Sequence, residues 1–318
     1  MKYSIKYPLP VMGISVFASS LSAALLVTEA FDYTDTADME TVWFGSSGAA
    51  MDSMEYNSTG LSFAGHFASA GGRAQSTANG AMGFRDLDST LQFTGARNDN
   101  SWNGRTETVY MSFLMQATDI KPWFSGGFGA SLKPKEAANP IDFTDNSWGA
   151  GFSQEDPDSS DIVGSLVNGG RTDNPQWDPA DATSYETTET INIGETYLIL
   201  ARFDYTNPDL APDNYTPFNN TGTVRGRFLL LDSGEAYPTD ESSVVWDLDQ
   251  TNENQPRGEE MFVENLGIGG NAAGDFMAYD ELRVGTEFTD VMVPEPSTFA
   301  LLAGLGGLGL VLLRRRRK

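Results

Sequence analysis

Large apolar residues recur at every second position in several short stretches of this chain, the period of a strand with one face in a core. From Leu61 to Phe67 they stand at Leu61, Phe63 and Phe67, and Thr90 to Thr94 repeats the pattern with Leu91 and Phe93. Val109 to Met115 and Tyr197 to Phe203 are apolar on both faces, as expected of central strands in a layered sheet. Val224 to Leu231, Val244 to Leu248 and Phe276 to Val284 continue the series, with Gly, Asn, Asp and Pro between them. No helical period stands out before residue 299, no repeat is visible, and no shift in composition marks a second unit. The pattern predicts an all-β, two-sheet antiparallel β-sandwich over residues 25–292.

The two ends read differently. Lys2 and Lys6 precede an apolar run from Val11 to Val27, and small residues at Ser20, Ser22 and Ala24 suit cleavage, which predicts a secretory signal peptide over 1–24. Leu25-Leu26-Val27 then remains as a first strand. At the other end Phe299 to Leu313 is fifteen residues without a charge. As a helix it spans roughly 22 Å, short of the ~30 Å hydrocarbon layer, and its four glycines weaken it further. The cations Arg314, Arg315, Arg316, Arg317 and Lys318 hold its far end in the cytoplasm, so all that precedes Phe299 lies outside. Pro294 and Pro296 keep the segment before it extended, and Glu295 keeps it in water. A marginal span beside an open motif predicts a segment held briefly in the inner membrane and then cut, as in the removable tail of lipid-anchored proteins.

Val293-Pro294-Glu295-Pro296-Ser297, a short Gly/Leu-rich span and an arginine run, in that order, resemble the PEP-CTERM sorting signal of Gram-negative bacteria. The resemblance covers residues 293–318. It implies recognition by an exosortase and delivery to the cell surface or the extracellular polysaccharide matrix. The body has a resemblance of its own: Gly194 to Phe203, Asn265 to Gly269 and Tyr279 to Thr286 look like the closing strands of concanavalin A-like, laminin G-like jelly rolls. It implies a fold shared by lectins, glycosidases and adhesion modules, and so no single activity.

Charge narrows the partners. The chain has 44 acidic against 20 basic residues, and seven of the basic ones lie in the two end segments. The body is left near thirty net negative charges, which repels nucleic acid while favouring solubility and divalent cations. With no cysteine, disulfides, thiol catalysis and cysteine metal sites are excluded, and the fold rests on its core.

Catalytic signals are weak. His66 is the one histidine and no motif supplies it with zinc or triad partners. Asp280 and Glu281 are expected to face opposite sides of a strand, Asp280 accepting hydrogen bonds from a loop and Glu281 pairing with Arg283. Asp247 and Asp249, with Glu253 beyond, would share a strand face about 6.8 Å apart, within the range of a glycosidase carboxylate pair. The alternating acidic strand motif of laminarinase-like jelly rolls is missing, however, which favours a solvated sheet edge over a catalytic pair. Asp156, Asp158 and Asp161 offer hard oxygens to a structural calcium, as do Asp86 and Asp88; no other cofactor is expected. Trp123, Trp148 and Trp177, within the Gly/Asn/Asp/Pro-rich stretch from Ala117 to Thr190, are candidates to stack on sugar rings or to pin long loops. The expectation is an exported, non-catalytic surface or matrix protein that contacts extracellular polysaccharide. A surface-bound laminarinase-like hydrolase is the alternative.

Overall fold

A computed structural model describes residues 25–45, 53–63, 67–68, 71–77, 82–86, 106–119, 127–134, 148–154, 161–168, 184–206, 222–255, 263–270 and 276–292. The segments 1–24 and 293–318, and with them the expected signal peptide, apolar span and basic tail, lie outside the described residues, as do His66 and the expected strand from Thr90 to Thr94. Among the described residues no helix is long and apolar enough to cross a membrane.

Two antiparallel sheets form the body. The larger runs β14 (Leu248–Gln255), β13 (Gly222–Leu231), β12 (Thr196–Thr206), β7 (Thr106–Asp119), β16 (Phe276–Gly285), β5 (Arg73–Ser76), β2 (Met54–Asn57). β1 (Leu25–Glu29) also pairs with β16 and is followed by a single helical turn, α1 (Thr36–Met39). The smaller runs β11 (Ser184–Thr190), β10 (Ile162–Asn168), β9 (Trp148–Gln154), β8 (Gly127–Pro134), β15 (Val263–Gly270), β6 (Met82–Asp86). This is the two-sheet sandwich that the period-two pattern predicts. Leu61 to Phe67 is not one strand, however: β3 (Ser62–Phe63) and β4 (Phe67–Ala68) pair antiparallel with each other. The Gly/Asn/Asp/Pro-rich stretch from Ala117 to Thr190 holds β8, β9, β10 and β11.

Between the sheets the strands interdigitate through alternate residues. β7 sends in Val109, Met111, Phe113 and Met115, and β12 sends in Tyr197, Ile199, Ala201 and Phe203, all buried. From the facing sheet, Trp148 stacks on Phe203 with ring centres 6.2 Å apart, and Phe152 meets Tyr197 edge-on at 5.8 Å. Glycine sets the spacing of β8 and β9: a Cβ on Gly129 would lie 2.0 Å from the carbonyl oxygen of Ala150. The outer face of the larger sheet is covered as well. Tyr110, Leu114, Leu198, Leu200, Leu229 and Leu231 pack under Leu61, Phe63, Tyr237 and α2 (Phe288–Met292). β7 and β12 are apolar on both faces because both faces are buried.

β16 shows how the pattern is broken locally. The register against β7 shifts between Asp280 and Arg283, and Glu281 sits at φ 49°, in the left-handed region. The extra residue lets Tyr279, Leu282 and Val284 all turn inward while Asp280 and Arg283 stay outside that core. Asp280 then accepts from the backbone N–H of Leu61 at 2.7 Å and Glu281 pairs with Arg283 at 3.4 Å, the partners expected from sequence. The geometry is a bulge and not the flat strand assumed there. A third buried carboxylate, Glu29, ties the N-terminal strand to the rest. Oε1 accepts from Phe31 N, and Oε2 accepts from Tyr33, the Trp43 indole and Arg85 of β6. Together they satisfy a charge that would otherwise be costly to bury.

α2 closes the described chain. Asp290 accepts from the backbone N–H groups of Thr286 and Glu287, Ser112 donates to the carbonyl of Val291 at 2.6 Å, and Phe288 meets Tyr110 edge-on at 6.3 Å. Val291 and Met292 are fully buried.

Candidate functional site

Beside the covered apolar half, the outer face of the larger sheet carries charge. On β12, β13 and β14 the residues alternating with the inner core are Arg202, Asp204, Arg225, Arg227 and Asp249. Strand pairing sets Arg202 opposite Arg227, Asp204 opposite Arg225, and Arg227 opposite Asp249. Two facing guanidinium groups repel, so the site stands only because carboxylates separate them.

The resulting ladder alternates in sign. Glu241, on a 3-10 turn (Glu241–Ser243), accepts from Arg202 Nη1 and from the Tyr110 hydroxyl. Arg202 gives its Nε and Nη2 to Asp204 Oδ1 at 2.9 and 2.7 Å, where Thr108 also donates. Arg227 lies 3.8 Å from Asp204 and 3.6 Å from Asp249. Arg225 grips Asp249 with two bonds. Three cations and three anions thus cancel, and exposure rises outward, from 12% for the Asp204 side chain to 47% for Arg225. Arg202 also lies over the Tyr110 ring, 5.4 Å from its centre. Burial, then the Glu241 bond, pushes the Tyr110 hydroxyl far above its usual range, so it stays a donor. The Arg225 bonds hold the Asp249 carboxyl below the ordinary aspartate value.

Asp247 and Asp249 do not form the pair that their spacing predicts. Asp247 precedes β14 in a bend, and its Oδ2 accepts from Leu230 N at 2.8 Å. Burial and Glu235 raise its pKa, while the bond from Leu230 works the other way. Each oxygen of Asp249 accepts one bond from Arg225, so the group stands as an ion-pair partner and not as a lone acid or base facing Asp247. The side chain of Glu253 lies outside the described residues.

Trp148 is corrected outright as a sugar-stacking candidate. It is 2% exposed and stacked on Phe203 between the sheets, where the alternation of β9 places it. Trp123, Trp177, Asp156, Asp158 and Asp88 lie outside the described residues, and Asp86 is described only as strand backbone. Asp161 is exposed just before β10. Among the described residues no three His, Asp or Glu side chains converge as metal ligands. The ladder was missed in the sequence because its members come from separate strands. The one available signal was the clustering of Arg202, Arg225 and Arg227 in a body so poor in cations.

Solved structures overlap the body loosely. Alginate lyase Aly36B does so at 11% identity and TM-score 0.41, over 69% of this chain and 81% of that one. The globular domain of T. cruzi calreticulin does so at 10% and 0.40, over 92% and 100%. The exoplasmic/lumenal domain of VIP36, in a Ca2+/Man3GlcNAc-bound form, does so at 10% and 0.38, over 78% and 87%. Overlaps of this quality assign no residue and no activity here. No curated protein matches the chain. Residues 293–317 match the family model of the PEP-CTERM protein-sorting motif. Behind a two-sheet antiparallel β-sandwich, the chain carries a PEP-CTERM protein-sorting motif, which indicates a secreted, exosortase-processed, cell-surface-associated protein of Gram-negative bacteria.

Proposed function

We propose that this chain is a non-catalytic surface or matrix protein whose body contacts extracellular polysaccharide. An exosortase cuts it at the motif around Pro294, Glu295 and Pro296, after Phe299 to Leu313 have held it briefly in the inner membrane with Arg314 to Lys318 in the cytoplasm. The observation that supports polysaccharide contact is the charge ladder on the outer face. Guanidinium and carboxylate groups fixed on adjacent strands offer paired donors and acceptors to vicinal hydroxyls, and their rigidity lowers the entropy lost on binding. Its outermost rung, Arg225 and Asp249, is the most exposed and the natural first contact. What supports the reading as non-catalytic is that Asp249 is ion-paired with Arg225 and Asp247 is turned to the backbone of Leu230.

Pull-down of the mature surface protein on neutral and uronic-acid polysaccharides tests the proposal. Retention by at least one glycan, weakened about tenfold or more in an Arg225→Ala/Asp249→Ala variant, is expected; tenfold corresponds to ~1.4 kcal/mol. Retention that ignores the double substitution would move the contact elsewhere, and no retention on any matrix glycan would leave a purely structural module. Release of reducing ends from a β-glucan would favour the laminarinase-like alternative.

A further inference from the structure

The sorting motif begins one residue after a fully buried side chain. Met292 and Val291 are at 0% exposure and Phe288 at 6%, all within the apolar cover of the outer sheet face. The matched motif starts at Val293. At about 3.5 Å per residue, Pro294 reaches no further than roughly 7 Å from Met292, and Phe299 no further than roughly 25 Å. There is no linker between the folded body and the segment to be cut. A peptide bond cut by an enzyme must lie extended in a cleft, commonly with several residues on each side. Here the residues on the amino side are wound into α2, whose start is tied by Asp290 to Thr286 and Glu287, and are held on the sheet by Ser112 and Tyr110.

We infer that docking of Phe288–Met292 on β7 and β16 restrains processing, and that α2 must leave the sheet before the motif is cut. The inference rests on the sorting reading above and adds a regulatory contact to it. The observed cutting rate is then the intrinsic rate multiplied by the fraction of molecules with α2 released. The contact is confined and reversible: it involves one turn of helix and leaves the inter-sheet core intact. Releasing α2 also uncovers Tyr110 and Ser112, which meet Phe288 and Val291 in the docked form.

Gly285 offers the cleanest perturbation. A Cβ there would lie 2.4 Å from the Asp290 Cβ, so Gly285→Ala pushes the helix away while sitting at the end of its strand. Inserting a flexible six-residue Gly/Ser linker between Met292 and Val293 leaves α2 docked and frees the motif. Both full-length variants, with wild type and a Pro294→Ala/Glu295→Ala/Pro296→Ala control, would be followed by pulse-chase in a host carrying exosortase and in one lacking it. Exosortase-dependent loss of the tail is expected to run at least about five- to tenfold faster in both variants. Unchanged rates in the linker variant, with the motif control blocked, would overturn the coupling and leave sorting intact. Cutting that persists in the motif control or without exosortase would overturn the sorting reading itself. If Gly285→Ala lowers secretion by misfolding, the linker variant alone decides.

Discussion

Asp204 is the node of the charge ladder, and Asp204→Asn isolates its charge. Arg202 and Arg227 are direct cross-strand partners, with Cβ atoms roughly 5.5 Å apart, and both guanidinium groups approach Asp204. At an effective dielectric constant near 20, two like charges at that distance repel by ~3 kcal/mol. Asp204 offsets this through two bonds to Arg202 and a looser approach to Arg227. Asparagine retains the shape and one acceptor but no charge, while Glu241 and Asp249 remain. The side chains of Arg202 and Arg227 are 20% and 16% exposed, so solvent screens part of the effect. A net loss of about 2 kcal/mol follows, or roughly 4–8 °C in Tm for a body of this size. The diagnostic is salt. In 1 M NaCl the screening length is about 3 Å, shorter than the separation, and the loss should fall to about half of its value in 20 mM NaCl. Adding Arg227→Gln should restore most of the lost stability by removing the facing charge. A Tm loss equal at both salt concentrations, or undiminished in the double variant, would refute the ladder as an electrostatic unit.

Three further outcomes follow from the same structure. Glu29→Gln leaves one side-chain oxygen for four donors and removes the Arg85 ion pair; a loss of about 3 kcal/mol, with Trp43 fluorescence shifting red as the N-terminal strand loosens, is expected in denaturant titration. Asp247 and Asp249 should show opposite pH signatures in Tm scans. Burial raises the folded pKa of Asp247, so its ionisation opposes folding above that value, and Asp247→Asn should melt higher at pH 7, the gain fading as pH falls through the raised pKa towards the unfolded value near 4. Arg225 lowers the folded pKa of Asp249, so its stabilisation is present above the unfolded value and lost as pH falls through the folded one; Asp249→Asn should melt lower at pH 7 and converge with wild type in acid. Gly129→Ala drives a methyl group into the Ala150 carbonyl and should cost about 2 kcal/mol or more, seen as lost secretion yield and a lower urea midpoint.

The architecture was legible where side chains are large. Val109 to Met115 and Tyr197 to Phe203 announced doubly buried strands because both their faces meet apolar partners, one the opposite sheet and the other the cover of Leu61, Phe63, Tyr237 and α2. β8 and β9 were hidden because Gly127-Phe128-Gly129-Ala130 and Trp148-Gly149-Ala150-Gly151 form strands by close backbone approach, which leaves little apolar period to read. Val244 to Leu248 has the alternation of a strand, yet it follows the 3-10 turn as a loop, with Val245 83% exposed and β14 starting only at Leu248. There the polar capping by Asp240 and the anchoring of Glu241 on Arg202 outweigh local propensity. Buried Asp280 and Glu281 were legible as structural acids. The bulge that reconciles them with an inward Leu282 was not, since nothing local to Asp280-Glu281-Leu282 demands a left-handed residue. The charge ladder depends on register, which a single sequence does not reveal.

Sorting through the matched C-terminal motif carries the whole account, and the intact mass of the protein recovered from the cell surface tests it most directly. In an exosortase-carrying host the recovered chain is expected to lack Phe299 to Leu313 and Arg314 to Lys318, and to keep them when the exosortase is absent. Surface material that still bears Arg314 to Lys318 in the presence of the enzyme would contradict it.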